Sequence, residues 1–195
     1  MAKRRSILIG MAAGLLFGAG VSRADEAEPL HPFMLEDVNG TMVTDEALQG
    51  KFSLVFFGYT SCPDVCPTSL STISAALDKL GSDAAQVLPL FVTLDPERDT
   101  RKVLSAYVAA IDERIVALQG PRAFTDAAAK AFGVTYAIVT PDPAKPEEYS
   151  IDHTAVIFFV GPDGRVIKRF GQGLSPEILV QDIRAAMAGA PMQNN

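Results

Sequence analysis

Soft-metal binding and thiol chemistry need sulfur or imidazole, and this chain of 195 residues carries only two cysteines and two histidines. They are Cys62, Cys66, His31 and His153. The cysteines stand four residues apart in Gly58-Tyr59-Thr60-Ser61-Cys62-Pro63-Asp64-Val65-Cys66-Pro67. If a helix extends back over Cys62, both sulfurs share one face; if it begins near Cys66, a loop thiol faces a first-turn thiol. Either arrangement can clamp one ion. A structural disulfide here would close so short a loop that it restricts the unfolded chain little. Redox-active pairs are commonly CxxC, and the extra residue, with Pro63 and Pro67 stiffening the turn, argues for metal binding at the same place. Cys62 and Cys66 also stay in view as a redox-active pair able to form a disulfide.

His153 lies in Asp152-His153-Thr154, just before an apolar run, and reads either as a ligand or as a hydrogen-bonded edge residue. Two thiolates with one imidazole form a soft set that leaves a coordination position open. That set suits Cu(I), and its imidazole lets it hold Cu(II) as well. Structural zinc normally takes four closed ligands, and the chain has no third cysteine or histidine to complete them. Asp64 or Asp152 could add a weak fourth ligand or simply be solvated. His31 has no motif around it and is expected to be a solvated tether residue. The six methionines (Met1, Met11, Met34, Met42, Met187 and Met192) are scattered, which gives no clustered thioether site. Met34 and Met42 are expected to pack against a hairpin.

The elements that must position these groups follow from periodicity and turn residues. Residues 33–35 and 41–44 flank Asn39-Gly40, a hairpin signal. Residues 52–58 (Phe-Ser-Leu-Val-Phe-Phe-Gly) read as a buried central strand that delivers the chain to Cys62. Leu70, Ile73, Leu77 and Leu80 recur at helical spacing over 66–80, and 87–94 is a second apolar strand. A helix over 100–111 capped by Asp99 or Thr100, a strand over 115–118 and a helix over 125–132 ended by Gly133 come next. A strand at 134–139 leads into a proline-rich, charged excursion over 141–149, an expected surface insertion. The strand 155–160 then turns through Gly161-Pro162-Asp163-Gly164 into 165–170, and Ser175 with Pro176 opens a last helix. His153 is thus expected at a strand start on the edge of a parallel sheet, where the excursion can fold back over the cysteine turn. This order gives a mixed α/β sheet flanked by helices, a thioredoxin-like fold with an N-terminal hairpin and an insertion near 141–150. In such a fold the strand-to-helix turn presents reactive sulfur, because the N–H groups of the helix N-terminus favour thiolate.

With 48% apolar and 21% charged residues, the chain supports one compact domain, expected over 33–190. Before it, Lys3-Arg4-Arg5, an apolar run over 7–21 and Ser22-Arg23-Ala24 have the form of a signal peptide over 1–24 cleaved after Ala24. The alternative is a short uncleaved membrane anchor, against which the run falls short of the roughly 20 residues that span a bilayer. Arg4-Arg5-Ser6-Ile7-Leu8 fits either an ordinary Sec n-region or a twin-arginine signal. Residues 25–32 read as a tether. The expected location is therefore the periplasm, free or anchored to the inner membrane, with membrane contact only through an uncleaved leader. Cleavage would remove four basic residues and no acidic ones, leaving 13 against 23 and moving the formal charge from −6 to −10. No basic stripe with aromatic platforms exists, so a nucleic-acid partner is excluded.

Three blocks carry a family resemblance. The ten-residue cysteine block, Asp95-Pro96-Glu97-Arg98-Asp99-Thr100 and Asp152-His153-Thr154 resemble, in the same order, three signatures of the Sco/SenC proteins. Phe33, Leu35, Asp37, Gly40 and Leu54-Val55-Phe56-Phe57 are also similar to that family's pattern, so the resemblance covers about 33–185. It implies a thioredoxin fold in which Cys62, Cys66 and His153 bind copper. The implied role is a metallochaperone, mainly not an enzyme, that serves the dinuclear copper centre of cytochrome c oxidase subunit II or another copper-accepting protein. A thiol reductant or a copper-donor protein would act upstream. Asp95 and the residues after it would form a loop near the site, with Arg98 paired to Asp95 or Asp99 at the surface. The family is usually anchored by one N-terminal helix, and the short leader departs from that.

Two other uses of the cysteines compete with copper delivery. A thiol-disulfide oxidoreductase acting on the client's cysteines is physically reasonable, although many thioredoxin relatives carry a cis-proline where this chain has Asp152-His153-Thr154. A peroxidase needs a low-pKa thiolate near a cation, and residues 52–78 contain no Lys or Arg; a redox or copper sensor would report through a Cys62–Cys66 disulfide.

Overall fold

The structure, a computed structural model, describes residues 28–190 and residue 192; the expected signal peptide lies outside the described residues. Its centre is β4 (Phe52–Gly58), which is buried from Ser53 to Gly58 because it has a neighbour on each edge and covered faces. On one side β5 (Val87–Thr93) runs parallel to it, followed by parallel β6 (Val116–Gln119). On the other side β9 (Ile157–Val160) and then β10 (Arg165–Phe170) run antiparallel. The hairpin of β2 (Met34–Asp37) and β3 (Met42–Thr44) adds to β6, and β1 (Glu28–Pro29) adds to β10. The sheet order is β1-β10-β9-β4-β5-β6-β2-β3, so the domain's sheet begins inside the stretch read as a tether. This is the expected mixed, thioredoxin-like sheet.

Among the described residues four α-helices cover the sheet: α1 (Val65–Leu80), α2 (Arg101–Ile111), α3 (Arg122–Phe132) and α4 (Pro176–Met187). Cys66, Leu70, Ile73, Leu77 and Leu80 form the buried stripe of α1, at alternating four- and three-residue steps. Cys66 is therefore the first residue of a core-facing stripe. Thr100 caps α2 by accepting the Val103 N–H, as its type predicts. Helix α3 begins at Arg122, three residues before the expected Thr125. Pro121 supplies the entry, and Thr125 is buried with its hydroxyl donating to the Gly120 carbonyl.

The larger departures lie between residues 134 and 156. A strand forms at β7 (Tyr136–Val139), but it pairs with β8 (Ser150–His153) in a separate two-stranded ribbon and takes no place in the main sheet. His153 thus ends a strand of its own, and β9 after it lies antiparallel to β4, not at a parallel edge. The excursion closes this wide hairpin, with residues 141–148 exposed. Met34 and Met42 do not pack as expected: at 41% and 51% exposure they face solvent, because the register that buries Leu35 turns its neighbours outward. His31 is exposed.

Candidate metal centre

Parallel neighbours end at the same edge of a sheet, so the loops after β4 and β5 meet: the Leu94 N–H donates to the Gly58 carbonyl at 2.7 Å. Beyond Gly58 the chain turns, with Cys62 N–H donating to the Tyr59 carbonyl, and α1 starts at Val65. Of the two arrangements open to the sequence, a loop thiol therefore faces a first-turn thiol. Asp64 makes no side-chain cap; instead the Cys66 N–H points at the Cys62 sulfur, 3.4 Å away. Cys62 is half-buried and Cys66 wholly buried, and both are free thiols. Burial, reinforced by Cys62, holds the Cys66 thiol well above its ordinary pKa, so it keeps its proton until something replaces it. Gly58 makes room for that sulfur, since a Cβ there would lie 2.7 Å from Cys66 Sγ and 3.1 Å from two phenylalanine rings.

His153 comes from the ribbon, 87 residues along the chain, and places Nε2 3.7 Å from Cys66 Sγ. Its Nδ1 lies 3.0 Å from the Thr154 carbonyl oxygen, which can only accept, so Nδ1 carries the proton and the Nε2 lone pair faces the sulfur. Phe56 and Tyr59 hold the ring edge-on, with centroids 6.1 and 6.3 Å away, and the Tyr59 hydroxyl meets the Ile151 backbone. Cys62, Cys66 and His153 are thus linked by successive contacts. Among the described residues no group of three or more His, Cys, Asp or Glu stands close enough together to hold an ion as placed. Two sulfurs and an available imidazole nitrogen fit a soft ion that displaces the Cys66 proton on binding. Asp152 is exposed, and Asp64 is exposed with the Thr68 hydroxyl on it.

The loop after β5 bears on the site more than expected. The expected Arg98–Asp95 pair forms, but Asp95 and Asp99 are both fully buried, which corrects its placement at the surface. Asp99 accepts the Thr60 N–H at 3.0 Å and the Thr60 and Thr93 hydroxyls at 2.5 Å each. Desolvation raises its carboxyl pKa against these donors. Asp95 takes Arg98 Nε at 2.5 Å and the Tyr149 hydroxyl at 2.6 Å. Arg98 also donates to the Tyr149 carbonyl at 2.9 Å and lies 3.5 Å over its ring. Arg122 bonds Glu97, the Leu94 carbonyl and the Tyr136 hydroxyl, which anchors β7. Tyr149 and Gly58 escaped sequence reasoning as site residues. The signals were an aromatic closing a charged excursion and a glycine ending a buried strand.

The SCO1/SenC family model matches residues 22–188. The chain is 33% identical to the human mitochondrial protein SCO1 homolog over 187 residues, 87% of this chain and 61% of the human one, so the match spans about three fifths of that relative. It is 35% identical to a SCO2-like protein of Rickettsia prowazekii over 150 residues, 77% of this chain and 73% of that one. Among solved structures it is similar to Bradyrhizobium japonicum ScoI with copper bound, at 40% identity and TM-score 0.73 over 80% of this chain and 98% of that one. Yeast Sco1 with copper bound is also similar, at 32% identity and TM-score 0.75 over 84% of this chain and 90% of that one.

Proposed function

The chain belongs to the SCO1/SenC family, and from that premise we propose that it is a copper metallochaperone, with Cys62, Cys66 and His153 as the ligands of one copper ion. The observation that carries this reading is the approach of His153 Nε2 to Cys66 Sγ at 3.7 Å beside the Cys62 sulfur. Copper is the cargo. Binding releases the Cys66 proton; Cys66, the buried sulfur, anchors the ion, while Cys62 and His153 lie nearer to solvent and are the ligands an incoming client displaces. Three ligands leave the open position through which a client thiolate or imidazole attacks. The client is the dinuclear copper centre of cytochrome c oxidase subunit II. The domain over 33–190 acts after export, led by residues 1–24 and held outside the cytoplasm.

Delivery is tested by mixing the Cu(I)-loaded protein anaerobically with the reduced, copper-free copper domain of subunit II and following copper into the acceptor. Transfer that outpaces release to a chelator of matched affinity supports the reading; release at the same rate to both contradicts it.

One observation favours a second reading, in which the half-buried Cys62 attacks a client disulfide and the buried Cys66 resolves it. The products are a Cys62–Cys66 disulfide and two client thiols. Stoichiometric reduction of an oxidised client by the metal-free protein, with no copper transfer, would select it.

A further inference from the structure

We propose that the loop Asp95-Pro96-Glu97-Arg98-Asp99 is a clamp that sets the position of His153 against the cysteine pair, and so decides whether the site holds Cu(II) as well as Cu(I). The inference rests on the copper-binding reading above. Cys62 and Cys66 follow β4, whereas His153 ends a ribbon outside the main sheet and is tied to β4 along the backbone by a three-residue link into β9, which pairs with β4 at Phe56 and Ile157. That link leaves the seating of the ribbon and its imidazole to side chains, and the loop after β5 has a buried carboxylate for each part. Asp99 grips the cysteine turn at Thr60, two residues before Cys62, with both carboxylate oxygens engaged. Asp95 and Arg98 grip Tyr149, four residues before His153, through its hydroxyl, its carbonyl and its ring. The Asp99 N–H donates to the Asp95 carbonyl at 2.9 Å, which ties the two grips together.

Arg98 is the hinge of the histidine side. Its guanidinium stacks on Tyr149 and lies 5.9 Å from the ring of Tyr59, which itself flanks His153. Its buried Nη2 has no hydrogen-bond partner among the described residues, a cost that a purely stabilising ion pair has no reason to carry. Lysine could keep the charge but not the planar fork and stack. Loosening this grip moves the imidazole and leaves the two sulfurs in place. Two thiolates suffice for Cu(I), whereas Cu(II) needs the nitrogen ligand. Arg98, Asp95 and Tyr149 are accordingly positioning residues that act through His153.

The test measures Cu(I) and Cu(II) affinity of the full-length protein and of Arg98→Lys and Tyr149→Phe, each also in a His153→Ala background. Thermal melts confirm that every variant is folded, and Tyr149→Phe, which removes one oxygen, serves if Arg98→Lys does not fold. The clamp predicts that both substitutions weaken Cu(II) by about 10- to 100-fold, as outer-shell changes do, with loss of nitrogen hyperfine structure in the electron paramagnetic resonance spectrum. Cu(I) affinity stays unchanged, and neither substitution has a further effect once His153 is alanine. Equal losses for both oxidation states, losses that persist without His153, or no loss at all would overturn the clamp. If the wild-type protein itself binds no copper, the copper reading falls and the clamp falls with it.

Discussion

Cys62 and Cys66 are neighbours in sequence but unequal in chemistry. Cys66 heads the buried stripe of α1 with its thiol pushed toward the protonated form, while Cys62 is half-exposed on the loop. In the native metal-free protein an alkylating reagent should therefore label Cys62 faster by more than about tenfold, since each unit of raised pKa costs a factor of ten in thiolate. Peptide mass mapping of a labelling time course checks this, and equal rates would refute the asymmetry. Gly58→Ala should force Cys66 Sγ or the flanking rings aside, costing about 1–3 kcal/mol in chemical denaturation as overpacking does. It should also weaken copper binding at the displaced sulfur. The candidate ligands were legible in the sequence because so few soft groups exist to choose from. Gly58 was not, because the need for an absent Cβ arises only where α1 crosses the end of β4.

At the scale of elements, α1 and β4 were legible because each carries a long, unbroken pattern: a stripe from Cys66 to Leu80, and a run apolar on both faces. The strand that bears His153 was not. It is four residues long, its partner β7 lies across a charged excursion, and the run 155–160 beside it offered a stronger apolar signal. The start expected at Thr125 was late by three residues, because the structure buries Thr125 inside α3. Between helices, Asp112 just after α2 accepts the Ser74 hydroxyl of α1 at 2.7 Å and binds Arg114, which also reaches Asp78. Arg114 above all holds the Asp112 carboxyl well below the usual carboxylate range. A carboxyl depressed by folding stabilises fully above its unfolded pKa of about 3.9 and loses that contribution as pH falls toward the folded value. Asp112→Asn should thus destabilise the protein by about 1–2 kcal/mol at neutral pH, a figure discounted for the exposure of Arg114. The gap between variant and wild type should close as denaturation is repeated below about pH 4, and a gap independent of pH would contradict the assignment.

Seen whole, the molecule is a thioredoxin-like sheet whose parallel strands β4 and β5 end together, with a ribbon brought over that end from the far side of the sequence. Copper ligated from both parts would staple them, so binding should raise the melting temperature with the logarithm of ligand excess over Kd. His153→Ala should reduce that rise while leaving the metal-free melt near wild type. The fold class was legible from the order of elements alone, while the seating of the ribbon over the sheet draws on part-buried side-chain bonds at Asp95, Arg98 and Tyr149 that no periodicity encodes. The measurement that bears most directly on the account is anaerobic copper titration of the reduced protein beside Cys62→Ser, Cys66→Ser and His153→Ala. Titrated separately with Cu(I) and Cu(II), wild type is predicted to bind one equivalent of either tightly, with both weakened by serine at either cysteine and Cu(II) weakened by His153→Ala. Cu(II) affinity untouched by His153→Ala, or affinity for either ion untouched by serine at either cysteine, would contradict the site.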